Sequence, residues 1–295
     1  MRYVVLGSAG QLGRDLCPRL SGEVIALTRA DVDLTQPDAL RARITKLAPD
    51  IVINCAAYNY VDRAEAEPAA VFDVNAWAVR QLALISRDLH CTLVHFSSDY
   101  VFGINSERRL PYAEDDGPGP VSVYGLSKLS GEYMVRAYCA RHFVVRTCGL
   151  YGVWGTGGKG GNFVETMLRL AREGKPLRVV SDQTCTPSYT VDVAATVAEL
   201  VGSDRYGLYH VTNSGSCTWY EFAKAIFDLA GQEASVTPIT SQQYGAAARR
   251  PAYSVLRNSA ASGIASLRPW KEALKAYLLE RATPPANRGI AVRES

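Results

Sequence analysis

The sequence predicts a doubly wound parallel α/β sheet carrying a smaller α/β lobe. Three observations predict it. Short apolar runs alternate with helical stretches through the first half of the chain. The run Ile51-Val52-Ile53 is apolar on both faces, as in a parallel strand buried between helix layers. The first run, Tyr3-Val4-Val5-Leu6, opens directly into glycines at 7, 10 and 13.

Taken in order, a strand is expected over 2–6 and a helix over 11–20. Between them Gly7 allows a tight turn, Gly10 lets the backbone approach a pyrophosphate, and Gly13 lets helix and strand lie close. The helix N-terminus adds free N–H groups and partial positive charge, which suit phosphate. A second strand is expected at 23–27 and a helix at 37–47, opened by Pro37. A strand at 51–55, a helix at 68–88 opened by Pro68, a strand at 91–97, a helix at 122–140 and a strand at 142–146 complete a Rossmann-type pattern.

After residue 150 the texture changes. A glycine-rich loop at 152–161 precedes a helix at 162–173, with Asn162 as its cap. An extended stretch at 177–190 is followed by helices near 190–201, 218–230 and 269–280, and a short strand at 208–212. Residues 1–150 are therefore assigned to a dinucleotide-binding domain, whose core can recruit later segments, and 151–281 to a substrate lobe. The segment 282–295 is expected to be a disordered tail.

Composition narrows the function. The formal charge of +3 and the lack of a Lys/Arg block give no nucleic-acid footprint. No apolar stretch approaches membrane-spanning length. Seven scattered cysteines without a C-x-x-C pair fit a reducing compartment, so a cytoplasmic protein is expected. His90, His95, His142 and His210 lack metal-ligand spacing, and His95 reads as a satisfied core residue. No G-x-S-x-G elbow is present.

Chemistry concentrates at Tyr124-Gly125-Leu126-Ser127-Lys128. Tyr124 and Lys128, four apart, share a helix face, and an ammonium beside a phenol lowers its proton affinity. A second Y-x-x-x-K, Tyr220 with Lys224, reads as surface chemistry, and Trp219 and Tyr220 as helix packing. Position separates the two. Tyr124 follows Phe96-Ser97-Ser98-Asp99-Tyr100 at the carboxyl end of a buried strand, where open α/β sheets bind ligands. Ser98 there is placed to donate to a developing oxyanion, against the plainer role of capping the strand end.

These features together resemble the extended short-chain dehydrogenase/reductase superfamily. Within it, "GQLG" at 10–13, "CAAYNYVDRAE" at 55–65, "SSDYVFG" at 97–103, "VYGLSKLSGE" at 123–132, "GGNFVETMLRLA" at 160–171 and "RRPAYSVL" at 249–256 resemble the dTDP-4-dehydrorhamnose reductase family. The resemblance implies a nucleotide-sugar ketone reduced at C4 by NADPH, with Tyr124 as proton donor, Lys128 as its partner and Ser98 in place of the usual threonine. It implies that Gly10, Gln11 and Leu12 meet the cofactor diphosphate, Asp33 and Leu34 border the adenine, and Ala56, Ala57 and Tyr58 line the cofactor. Ser98 and Asp99, with Tyr100 beside them, would meet the sugar, and Asn162 would face the nucleotide. Arg250 is open between a diphosphate clamp and a helix cap. A homodimer is the family expectation.

The cofactor preference is legible in part. Arg29, after the second strand, leans towards a 2′-phosphate and NADPH, while Asp31 and Asp33 leave NADH open. Many relatives carry tryptophan where this chain has Gly149, with Tyr151 and Trp154 as candidate substitutes. Asp15 matches a cation-binding position of some relatives only loosely, so no metal is expected. The alternatives are another nucleotide-sugar 4-ketoreductase or epimerase, and a non-catalytic subunit resembling the β subunit of methionine adenosyltransferase.

Overall fold

The structure, a computed structural model, describes residues 1–155, 161–263 and 267–283. Strand β1 (Arg2–Leu6) turns through the glycines into helix α1 (Gln11–Leu16), which tightens into a 3-10 turn at Cys17–Arg19, where Pro18 removes an N–H donor. Strand β2 (Glu23–Leu27), helix α2 (Pro37–Leu47), strand β3 (Ile51–Asn54) and a short helix α3 (Val61–Ala64) follow. The single helix expected over 68–88 is α4 (Pro68–Phe72), a π turn at Asp73–Trp77 and α5 (Ala78–Asp88). Strand β4 (Thr92–Ser98), helix α6 (Val123–Tyr138) and strand β5 (His142–Thr147) complete the first half.

The second half runs β6 (Leu150–Tyr151), α7 (Phe163–Arg172), β7 (Leu177–Val180), β8 (Thr184–Cys185), β9 (Ser188–Tyr189) and α8 (Thr190–Leu200). It continues with β10 (Gly207–His210), β11 (Cys217–Thr218), α9 (Trp219–Ala230), β12 (Val236–Ile239), α10 (Ser241–Tyr244) and α11 (Trp270–Ala282). Most of the tail predicted from 282, namely 284–295, lies outside the described residues.

Six parallel strands form the main sheet in the order β10-β5-β4-β3-β1-β2. The strand expected at 208–212 therefore belongs to this sheet, beside β5, rather than to the second lobe. Alternate residues along each strand serve opposite faces. Tyr3, Val5, Ile53, Val94 and Val145 pack with Leu12 and Leu16 of α1 and with Val193, Val197 and Leu200 of α8. Val4, Leu6, Val52, Leu93 and Val144 pack on the other face with Leu40, Ile44, Val79 and Leu82. One cover helix of the main sheet thus comes from after residue 150.

The second lobe has its own aromatic core, in which Tyr151, Tyr189, Phe222, Trp270 and Tyr277 are buried. Helix α9 enters it through a capping box, with Thr218 accepting from the Glu221 N–H and Glu221 accepting from the Thr218 N–H. The order of strands reverses at β1, which lies between β2 and β3, and the crevice beyond their carboxyl ends is the expected ligand position of such a sheet.

Candidate active site

The glycine turn sits in that crevice. Gly7 adopts φ +71°, and a Cβ there would lie 2.7 Å from the Ala56 nitrogen that follows β3. A Cβ on Gly13 would lie 2.6 Å from the Gly7 carbonyl oxygen, so helix and strand meet at a separation only glycine permits. Gly10 is exposed, and no side chain caps the helix it opens. This narrow cradle with an uncapped helix start fits a dinucleotide diphosphate. Leu12 sends its side chain into the core, so only its main chain can face the cradle. Gln11 reaches across, its Nε2 donating to the Leu150 carbonyl at 3.1 Å, while its Oε1 has no partner among the described residues.

Around the adenine end, Leu34 is buried in the core beside Leu27, and Asp33 accepts from the Thr35 N–H at 2.9 Å and the Thr35 hydroxyl at 2.7 Å. Arg29 extends into solvent with its side chain 90% exposed, and its Nη2 lies 3.6 Å from Asp33 Oδ2. Asp31 turns back on Thr28. Ala56 and the exposed Ala57 form the rim after β3. The Tyr58 N–H donates to Asn75 at 2.9 Å and its hydroxyl donates to Glu67 at 2.8 Å.

At the carboxyl end of β4, Ser98 lies close enough to Tyr124 for its hydroxyl to act on the phenol. Helix α6 brings Tyr124 there, its first turn capped by Ser122. Burial pushes the Tyr124 phenol up to about 12, against the opposing effect of Ser98. This corrects the expectation that a neighbouring ammonium lowers it. Lys128 donates its Nζ to the Phe96 carbonyl at 2.6 Å, and burial brings its own pKa down to about 8, against the opposing effect of Glu132. Tyr124 is consequently protonated at neutral pH, the form a proton donor requires.

Asp99 follows Ser98 directly. It is only 2% exposed, and its carboxylate accepts from Ser98 (3.0 Å), from Cys148 (3.0 Å) and from Ser254 (2.6 Å). Three of its acceptor sites are thus used within the protein, two of them on Oδ2, while Oδ1 accepts only from Ser98 among the described residues. Tyr100 does reach the site, packing edge-on against Tyr124 with centroids 5.7 Å apart. Arg250 is held by Asp62 in a two-pronged pair (3.0 and 2.7 Å), its charge close enough to act on Tyr100. Asn162 caps α7 as expected, and its Nδ2 donates to the Gly152 carbonyl at 2.9 Å. Its amide is therefore engaged at both ends.

Sequence reasoning missed the support under this shelf. Arg146 and Glu132, with side chains 2% and 0% exposed, form a two-pronged ion pair (2.8 and 2.7 Å). Ser97 also donates to Glu132, at 2.5 Å. Asn75, turned inward by the π turn, donates to the Tyr58 carbonyl (2.9 Å) and to Ser127 (3.0 Å), clamping the β3 rim to α6. His95 is bonded at Nδ1 by Asn54, but its Nε2 has no partner among the described residues. Of the two substitutes expected for an aromatic at 149, Tyr151 is buried in the second core, and Trp154 donates its indole N–H to Asp15 under the Arg14 guanidinium. Asp15 is further engaged by the Thr190 hydroxyl.

A glycine cradle at the switch point of a parallel sheet, with serine, tyrosine and lysine at the end of the fourth strand, defines an extended short-chain dehydrogenase/reductase. Comparison with known proteins narrows this class. The family model described as RmlD substrate binding domain matches residues 1–283. The dTDP-4-dehydrorhamnose reductase of Mycolicibacterium smegmatis is 39% identical, covering 93% of this chain and 84% of its own. The probable dTDP-4,6-dihydroxy-2-methyloxan-3-one 4-ketoreductase of Streptomyces antibioticus is 40% identical, covering 99% of this chain and 100% of its own. The crystal structure of dTDP-4-dehydrorhamnose reductase from Bacillus anthracis in complex with NADP superposes with a TM-score of 0.89 at 36% identity, covering 95% of this chain and 99% of that one. The chain belongs to the dTDP-4-dehydrorhamnose reductase family.

Proposed function

We propose that this protein reduces dTDP-4-dehydro-6-deoxy-L-mannose (dTDP-4-keto-L-rhamnose) at C4 to give dTDP-L-rhamnose, with NADPH as cofactor and Tyr124 as proton donor. The observation that carries the reading is the convergence of Ser98, Tyr124 and Lys128 at the carboxyl end of β4, where Ser98 acts on the buried Tyr124 phenol and Lys128 is fixed to the Phe96 carbonyl. When bound, NADPH supplies the hydride. Tyr124, protonated because it is buried, delivers its proton to the ketone oxygen as the alkoxide forms. Ser98 stabilises that oxygen by hydrogen bonding, and its attachment to Asp99 fixes its rotamer beforehand. Lys128, fixed to the Phe96 carbonyl, keeps a positive charge one helical turn beyond Tyr124. Arg29 is the group available to a 2′-phosphate. The division of labour follows: the main sheet with α1 and α8 carries the cofactor, and the aromatic lobe carries the sugar nucleotide.

The test is stoichiometric loss of NADPH absorbance with dTDP-4-keto-L-rhamnose. Tyr124→Phe should lower kcat by about 10²–10⁴-fold and leave NADPH affinity within about twofold. Wild-type protein that oxidises no NADPH with this substrate would sink the reading. The relative named for another dTDP-linked ketone supports a second reading, reduction of a different dTDP-4-ketosugar at the same site. A substrate panel separates the two, and an epimerase would show no net NADPH loss. The reading extends to a cytoplasmic enzyme, supported by seven cysteines without a paired framework. It extends also to a homodimer, which sedimentation would test.

A further inference from the structure

The segment after β5 passes between the two halves of the site. Thr147 is the register partner of Ser98, Cys148 donates to Asp99 at 3.0 Å, and the Leu150 carbonyl accepts from Gln11 of the cradle at 3.1 Å. Gly149 lies between these contacts. It adopts φ +51°, where a side chain is strained, so the strand contributes no wall of its own at this point. The space is covered from the other lobe. A Cβ on Gly149 would lie 3.3 Å from Cη2 of Trp219 and 3.3 Å from Cα of Pro187. Trp219 is the first residue of α9, half-buried, and its ring is braced by Phe163 (centroids 4.8 Å apart) and Phe222 (6.3 Å). The reading of Trp219 as helix packing describes one side of the ring. The outer edge of the six-membered ring reaches Gly149, two residues past the register partner of Ser98.

We propose that Trp219 is the aromatic wall against which the hexose ring of the substrate packs, and so a residue that sets which ketohexose is reduced. The inference rests on the function proposed above. A 6-deoxyhexose presents C–H edges and a methyl group, and an indole braced by two further rings offers it a rigid apolar surface at little entropic cost. Such a wall favours a methyl over a hydroxymethyl group at C6, through dispersion and exclusion of water rather than hydrogen bonds. Because it belongs to α9, the wall is set by the packing of the second lobe, while the reacting hydroxyls are set by the sheet.

The experiment compares wild type, Trp219→Ala and Trp219→Phe in steady-state reduction of dTDP-4-keto-L-rhamnose, together with inhibition by dTDP alone and binding of NADPH. For Trp219→Ala the KM for the ketosugar should rise about tenfold or more, the order expected from losing one well-packed ring. The inhibition constant of dTDP and the affinity for NADPH should stay within about twofold, since neither ligand carries the hexose. If Trp219→Ala does not fold, Trp219→Phe carries the test, because it keeps a ring against Phe163 and shortens the reach towards Gly149. Its KM should also rise, by less. An unchanged KM overturns the proposal. So does a parallel loss of dTDP and NADPH binding, which marks a purely structural residue. Wild-type protein that reduces no dTDP-4-ketohexose overturns the proposed function and the wall with it, a result distinguishable from a failure of the wall alone.

Discussion

Glu132→Gln tests the support beneath the catalytic shelf. Glu132 and Arg146 are buried, doubly hydrogen-bonded, and joined by Ser97 and by His210 Nε2, which lies 3.4 Å from Arg146 Nη1. Burial and the Arg146 charge bring the His210 pKa down to about 3, so this histidine is neutral and cannot compensate the arginine. The amide variant keeps the shape and leaves Arg146 charged without its counter-ion. Breaking one partner of such a pair costs about 3–5 kcal/mol. At ~2–4 °C per kcal/mol for a chain of this size, the melting temperature should fall by about 6–20 °C. Replacing the pair together, Glu132→Met with Arg146→Met, should recover much of the loss, because two desolvated charges go at once. Recovery should be partial, since Ser97 loses its acceptor at about 1–3 kcal/mol. The assay is calorimetric melting with urea midpoints at pH 7. A Glu132→Gln protein within about 1 kcal/mol of wild type would refute the assignment of this pair as a folding constraint. The variant also removes the anion that opposes the lowering of the Lys128 pKa, so that pKa should fall further.

Three further outcomes follow from the geometry. Gly13→Ala places a methyl 2.6 Å from the Gly7 oxygen and 2.8 Å from Ser8 Cα, and should abolish NADPH binding, as read by fluorescence titration. Arg29→Ala should lower the preference for NADPH over NADH by about tenfold, with little change in stability, because the exposed pair with Asp33 contributes little. Lys128 has a folded-state pKa of about 8 against 10.5 for the free side chain, so between these values the unfolded chain binds more protons than the folded one. Its contribution to stability should therefore rise with pH through that window, and the slope in urea midpoint should disappear in Lys128→Met.

Much of this architecture was legible because it rests on local signals. The strand-like run at 23–27 and the helical stretch at 37–47 became β2 and α2 at the predicted bounds, since neighbouring turns and Pro37 fix their ends. The glycine turn was legible because steric closeness leaves only one residue type. What the sequence hid is long-range. Nothing local says that 207–210 pairs with β5, because a four-residue apolar run fits either lobe. The π turn that aims Asn75 inward has no sequence signature of its own. That Ser254, 155 residues later, donates to Asp99 is likewise invisible in the local sequence. Trp219 shows the limit most clearly. Its aromatic neighbours predict packing, and only the fold reveals that its far edge faces Gly149.

The return of the chain to the main sheet has an evolutionary consequence. Helix α8 and strand β10 are stitched between segments of the second lobe, which carries the sugar in the function proposed above. A single crossover near residue 150 would carry away a cover helix and an edge strand together with the specificity elements. Recombination cannot graft a new sugar preference onto this scaffold as one block. Exchange must proceed in separate pieces on either side of 190–210, or by point substitutions at positions such as 219, which favours gradual drift in substrate choice over modular replacement.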